Sequence, residues 1–249
     1  MLRSLNKLIG YRVEASDGEI GTVRDFYFHD DTWTVRYLVV DTGNWLPGRL
    51  VLLPPAAIAA GDPDWSMHRF PVALSRKQVE DSPSAGTDRP VSRQYETELH
   101  KYYGWPVYWG AAPLPGQTPA GRARERAASQ PQENEQVRQE DPDLRSIQEV
   151  NGYHIEATDG EIGHVEDFIA DTVAWALRYL VIDTRNWLPG RKVIVSPDWL
   201  DGISWHDRLV RANLCRKEIE NSPEFDSRAP VNREYEVRLY DYYGRQAYW

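Results

Sequence analysis

The 249-residue chain is long enough for one or two domains, each able to bury a workable core. Hydrophobic residues make up 41% and aromatics 12%, which excludes a wholly disordered chain, and ten tryptophans supply large apolar anchors. A net charge of −9 without clustered Lys and Arg argues against a phosphate-backbone binder, so no nucleic-acid partner is expected. Cys215 is the only cysteine, which rules out an intrachain disulfide and a cysteine-built zinc site. Residues 1–13 hold no apolar stretch of signal-peptide length. No window approaches the roughly eighteen apolar residues of a membrane-spanning helix. A cytoplasmic protein without a transmembrane segment is therefore expected.

In chain order, Asp17-Gly18 marks a tight hairpin joining strands at 12–16 and 19–28, because both residues tolerate positive φ. Residues 33–40 are rich in β-branched and aromatic side chains and predict the strongest strand, with Val35, Tyr37 and Val39 on one face. Further strands are expected at 49–53, ended by Pro54-Pro55, and near 68–73. Short strands at this spacing suggest a small barrel. Helices follow. Ser75 can cap one over 76–81, stopped by Ser82-Pro83, and Ser92 can cap another over 93–103 with Gly104 as its stop. On the second helix Tyr95, Leu99 and Tyr102 form one apolar stripe.

The same pattern then returns. Between Gly10 and Arg49, 25 of 40 positions are identical to those 142 residues later. The offset becomes 140 after a two-residue loss near 58–64, so Arg76-Lys77 answers to Arg216-Lys217 and Tyr102-Tyr103-Gly104 to Tyr242-Tyr243-Gly244. Three segments are expected: a first copy at 1–109, a flexible linker at 110–146, and a second copy at 147–249. The linker is rich in Pro, Gly, Gln, Glu and Arg and poor in large apolar residues, so burial cannot offset its ordering entropy.

The duplication tests candidate chemistry, since a site needed in both copies should recur. None of the six histidines does: His29 faces Asp171, His68 faces Arg208, His100 faces Tyr240, His154 faces Arg12, His164 faces Thr22 and His206 faces Ser66. This argues against a histidine acid–base pair or metal site, and no catalytic residue, metal or cofactor is assigned. The carboxylates Asp17/Asp159, Glu19/Glu161, Asp25/Asp167 and Asp41/Asp183 recur. Asp17 and Asp159 read as turn residues. Asp25 and Asp41 suit pairing with Arg36 or Arg49 better than an ion site. The recurring loop holding Asn44, Trp45 and Arg49, and again Asn186, Trp187 and Arg191, is the candidate binding site, because Trp beside Arg on a Pro-Gly loop suits a binding hot spot. A tryptophan folded back on its own domain is the competing reading. The aromatic tails, Tyr102, Tyr103, Tyr108 and Trp109 in one copy and Tyr242, Tyr243, Tyr248 and Trp249 in the other, are candidates for packing between the copies as a pseudo-dimer or in a homo-oligomer.

Several of these motifs carry a resemblance. The Gly-Tyr opening, the Asp-Gly-Glu-Ile-Gly turn with Asp25-Phe26 after it, the Arg-Tyr-Leu-Val-Val-Asp strand and the tail from Pro90 to Glu96 closing in Tyr-Tyr-Gly resemble the PRC-barrel family. The likeness spans both copies and omits the linker. It implies a mainly β protein with short helices, made of two small, strongly bent barrels, each followed by a helical, aromatic-rich tail. Family members include the cytoplasmic domain of the photosynthetic reaction-centre H subunit and the C-terminal domain of a ribosome maturation factor, and free-standing bacterial members mostly lack assigned activities. The resemblance implies a non-enzymatic scaffolding module that docks on protein partners, cytoplasmic or peripheral to the inner membrane. Two alternatives follow from it: an accessory of reaction-centre or electron-transfer complexes handling protons through carboxylates, and an RNA or ribosome-assembly accessory. The lack of an amino-terminal membrane helix weighs against the first, and the acidity against the second.

Overall fold

The computed structural model describes residues 1–58, 63–83, 91–109, 144–184 and 191–249. In the first copy the strands are β1 (Leu2–Ser4), β2 (Arg12–Ala15), β3 (Gly18–His29), β4 (Thr34–Asp41), β5 (Leu50–Leu53) and β6 (Arg69–Pro71), followed by helices α1 (Arg76–Glu80) and α2 (Arg93–Tyr103). The second copy follows the same order with an added helix, α3, and an added strand, β12: β7 (Leu144–Ser146), α3 (Ile147–Val150), β8 (His154–Ala157), β9 (Gly160–Asp171), β10 (Ala176–Asp183), β11 (Lys192–Val195), β12 (Leu200–Ser204), β13 (Leu209–Ala212), α4 (Arg216–Glu220) and α5 (Arg233–Tyr243). The fold is mainly β with short helices. The linker expected at 110–146 falls outside the described residues as far as 143; its last three residues are β7.

Local chemistry accounts for the element ends. Gly18 sits at φ +144, which permits the tight β2–β3 turn, and a bulge between Val13 and Glu14 bends the pair. Ser75 and Gln78 cap α1 reciprocally, and Ser92 accepts from the Tyr95 amide at the start of α2. Gly104 ends α2 in the left-handed region at φ +69, and Gly244 ends α5 at +58.

The described residues fall into two compact units that do not coincide with the sequence copies. The first comprises Met1–Tyr11, Val23–Val39 and Arg145–Trp249, so the second copy folds together with two segments of the first. Its strands run β12-β13-β8-β9-β10, with β1 added to β9 and β11 to β10. Its core includes Leu5, Phe26, Phe28, Phe168 and Tyr179, all essentially inaccessible to solvent. The second unit comprises Arg12–Thr22 and Val40–Leu144. There β2 lies antiparallel to the start of β3 and parallel to β6, over a core of Val13, Ile20, Phe70, Val79 and Leu99.

The sheet expected to close as a barrel is open. The pairing gives the reason: the strand that opens each copy is lent to the other, β1 to β9 and β7 to β3. Leu2, Arg3 and Ser4 face Asp171, Ala170 and Ile169 in antiparallel register.

Candidate functional site

The loop after β4 is built by its own hydrogen bonds. The Asp41 carboxylate accepts from the Gly43 amide at 2.9 Å, and Thr42 Oγ1 lies 2.7 Å from the Leu46 carbonyl and 2.9 Å from that of Arg49. The Trp45 amide donates to Thr42 O at 3.2 Å and the Arg49 amide to Leu46 O at 3.0 Å. These bonds leave Asn44 exposed and Trp45 half-buried. The Arg76 guanidinium lies over the Trp45 ring at 4.5 Å, a cation–π contact that holds the ring between loop and helix. Arg76 is itself fixed, because its amide donates to Asp17 Oδ1 at 2.7 Å at the mouth of the hairpin.

Between the hairpin and this loop is an open cleft of about 440 Å³, lined by residues 19–22 on one side and 41–45 on the other. Gly21 forms its floor, and a Cβ there would lie 2.0 Å from the Asp41 carbonyl oxygen. Only glycine lets the two strands approach so closely. The second copy repeats this at Gly163, where the distance to the Asp183 carbonyl oxygen is 2.1 Å. The walls offer a carboxylate, hydroxyl and amide groups and one face of an indole, which suits peptide-like polar groups beside an apolar anchor.

Arg49 has a different task from the hot-spot role the sequence suggested. Its guanidinium donates to the Glu80 and Ser82 carbonyls at the end of α1, and Arg191 does the same to Glu220 and Ser222 at the end of α4. Both arginines tie loop to helix end, satisfying carbonyls that the last turn leaves without a partner. Asn186 and Trp187 lie outside the described residues.

The aromatic tails wrap their own copies in every contact described. Tyr102 donates to the Gln78 carbonyl at 3.0 Å, Tyr103 stacks on Trp105 with ring centroids 4.1 Å apart, and Trp109 meets His100 edge-on at 5.0 Å. Tyr242 donates to the Glu218 carbonyl at 2.8 Å, Tyr243 lies against Trp199 at 4.7 Å, and Trp249 meets Tyr240 at 5.1 Å. At the centre of each tail is a buried glutamate. Glu96 accepts from Tyr108 at 2.5 Å and Glu236 from Tyr248 at 2.8 Å, while Arg93 and Arg233 pair with them at 3.2 Å. Arg93 and Arg233 also cover the rings of Trp109 and Trp249 at 4.6 and 4.0 Å. Burial pushes the tyrosine hydroxyls of Tyr179 and Tyr248 far up, so they stay protonated donors to Glu236. The arrangement anchors the tail. Neither glutamate stands out in the sequence, and the only signal is the recurring Arg-x-x-Glu with a Tyr twelve residues later.

Asp17, Asp25, Asp159 and Asp167 each accept from backbone or serine donors. Asp25 accepts from Ser146 Oγ at 2.5 Å and from the Phe26 amide at 2.8 Å, and Asp167 accepts from Ser4 Oγ at 2.5 Å and the Phe168 amide at 2.7 Å. Burial pushes the Asp167 carboxyl above the usual carboxylate range, and its hydrogen bonds oppose that rise only in part. Asp159 accepts from the Arg216 amide at 2.7 Å, as Asp17 does in the first copy. Among the described residues no group of three or more His, Cys, Asp or Glu side chains is placed to hold a metal ion. No described helix is long and apolar enough to cross a membrane.

No curated protein matches the chain. Residues 2–63, which supply β1 to β5 and every wall of the cleft, match the family model of the PRC-barrel domain, and on that match the chain carries a PRC-barrel domain.

Proposed function

We propose that the protein is a non-catalytic scaffold whose two copies are both PRC-type modules, each docking on protein through the loop that follows its central strand. The observation that carries this is the cleft between Gly21 and Trp45, where a half-buried indole is clamped by Arg76 beside an exposed Asn44. An aromatic anchor held rigid beside an exposed amide side chain is what a protein-binding hot spot requires. The PRC-barrel match supports a module without catalysis, as does a set of recurring carboxylates already occupied by serine and backbone donors.

The test is capture of partners from the native cell by the full chain carrying a photo-crosslinking residue at Asn44, compared with the same chain bearing Trp45→Ala. A discrete protein crosslinked by the first and lost with the second, at unchanged far-ultraviolet circular dichroism, is the expected result. Identical crosslinks from both chains would rule the loop out as the docking element.

A further inference from the structure

Within the first unit, the bonds joining one copy to the other come in matched pairs. Ser4 Oγ donates to Asp167 Oδ2 and Ser146 Oγ to Asp25 Oδ2, both at 2.5 Å. The Asn6 amide donates to Asp167 Oδ1 at 3.1 Å and the Gln148 amide to Asp25 Oδ1 at 3.3 Å. The Asn6 side-chain amide donates to the Glu166 carbonyl at 2.8 Å, and that of Gln148 to the Arg24 carbonyl at 2.5 Å. The Val35 amide donates to Trp175 O at 2.8 Å and the Leu177 amide to Trp33 O at 2.7 Å. In every pair the residues differ by 142 positions while donor and acceptor copies exchange places. That is the pattern of an isologous interface, in which one patch meets another of its kind.

The backbone is shaped for this contact. Trp33 and Trp175 hold φ +50 and +53, a region bulky side chains rarely adopt, and theirs are the carbonyls that accept across the copies. Their rings join the same cluster: Trp33 stacks on Phe28 at 5.5 Å, Trp175 on Phe26 at 6.2 Å, and Phe28 meets Phe168 at 5.6 Å.

The rim departs from the symmetry. Arg145 pairs with Asp30 at 3.2 Å, and the residue equivalent to Asp30 in the second copy is Thr172. Asn151 donates to Asn6 Oδ1 at 3.1 Å, and the equivalent of Asn151 in the first copy is Ile9. The counterpart of Arg145 in the first copy is Arg3, so a pair of first copies would also bring an arginine to Asp30, and neither these contacts nor the serine–aspartate locks require copies of different kinds.

We infer that each copy is a dimerisation module whose partner is a second copy of the same module, and that this chain is a fused dimer of two such modules. The serine–aspartate locks and the crossed amide bonds of Val35 and Leu177 supply the association.

The test uses the full chain with a specific protease site inserted after Gly121, cut in the folded state and examined by native mass spectrometry. The cut protein stays a non-covalent pair of unlike pieces. When nitrogen-15-labelled and unlabelled cut proteins are mixed, pairs carrying one labelled and one unlabelled piece form. Pairs of two first pieces and of two second pieces form alongside the unlike pairs. Pieces that separate as monomers would overturn the fused-dimer reading. Unlike pairs alone, with no like pair of either piece, would overturn the reading of each copy as a module that pairs with its own kind.

Discussion

Replacing Gly21 by alanine tests the closest backbone approach in the cleft. The new Cβ would lie 2.0 Å from the Asp41 carbonyl oxygen, 2.8 Å from its carbon and 2.9 Å from Thr42 Cα. Ordinary contacts of this kind are about 3.3–3.6 Å, so the strands must part by more than about 1 Å. Overpacking of backbone costs about 1–3 kcal/mol, and one ladder hydrogen bond lost costs about 1 more, giving about 2–4 kcal/mol. Gly43 is the internal control. It holds φ +56 with nothing within 4 Å of an added Cβ. Gly43→Ala therefore meets only the left-handed backbone penalty of about 1–2 kcal/mol, offset by about 0.4–1 kcal/mol from a less flexible unfolded chain. Urea unfolding followed by tryptophan fluorescence measures both. A Gly21→Ala chain no less stable than Gly43→Ala would refute the close-approach argument, because both substitutions change the unfolded chain alike.

Gly163→Ala is expected to cost as much as Gly21→Ala, since its Cβ would lie 2.1 Å from the Asp183 carbonyl oxygen, and the same unfolding curves check it. Leu5→Ala removes a side chain with no solvent exposure and should cost about 2–5 kcal/mol in chemical denaturation, although it sits next to the amino terminus. Burial lowers the pKa of His100 below its usual 6.5, so the unfolded chain binds the proton more tightly and stability falls as pH drops from 6.5 through the folded value. His100→Tyr, which installs the residue found at the equivalent position 240, should flatten that part of the stability–pH curve. Asp167 behaves oppositely: burial raises its pKa, so its contribution declines as pH rises from about 3.9 through the folded value, and Asp167→Asn should remove that slope in denaturation between acid and neutral pH.

Much of the fold was legible wherever a local rule decides it. The Asp-Gly hairpin, the Ser75 and Ser92 caps and the Gly104 stop depend on residues within one turn of each other. What escaped depends on partners far apart in sequence. Three residues at Leu2–Ser4 carry no period, and nothing marks them as a strand until Phe168 to Asp171 lie beside them. Leu144–Ser146 reads as the end of a polar linker because its composition continues that of the segment before it. Asp25 invites pairing with a nearby arginine, yet a described donor is Ser146, 121 residues on. In the candidate site, the Pro-Gly loop announced Trp45, but the inward turn of Arg49 follows from the unsatisfied carbonyls of α1, which only the folded chain brings within reach.

The lending of β1 to β9 also sets a timetable for the nascent chain. At about 5–20 residues per second, the ribosome delivers the strand that accepts Leu2–Ser4 many seconds after those residues emerge. Until then Phe26 and Phe28, which end with no solvent exposure, await Phe168 and Trp175. The first copy must therefore leave the ribosome unfinished, with apolar surface that holdase chaperones recognise. Truncation anywhere before Asp171 leaves the first copy only another first copy to cover that surface, so premature termination products should be insoluble or rapidly degraded wherever they are too dilute to pair.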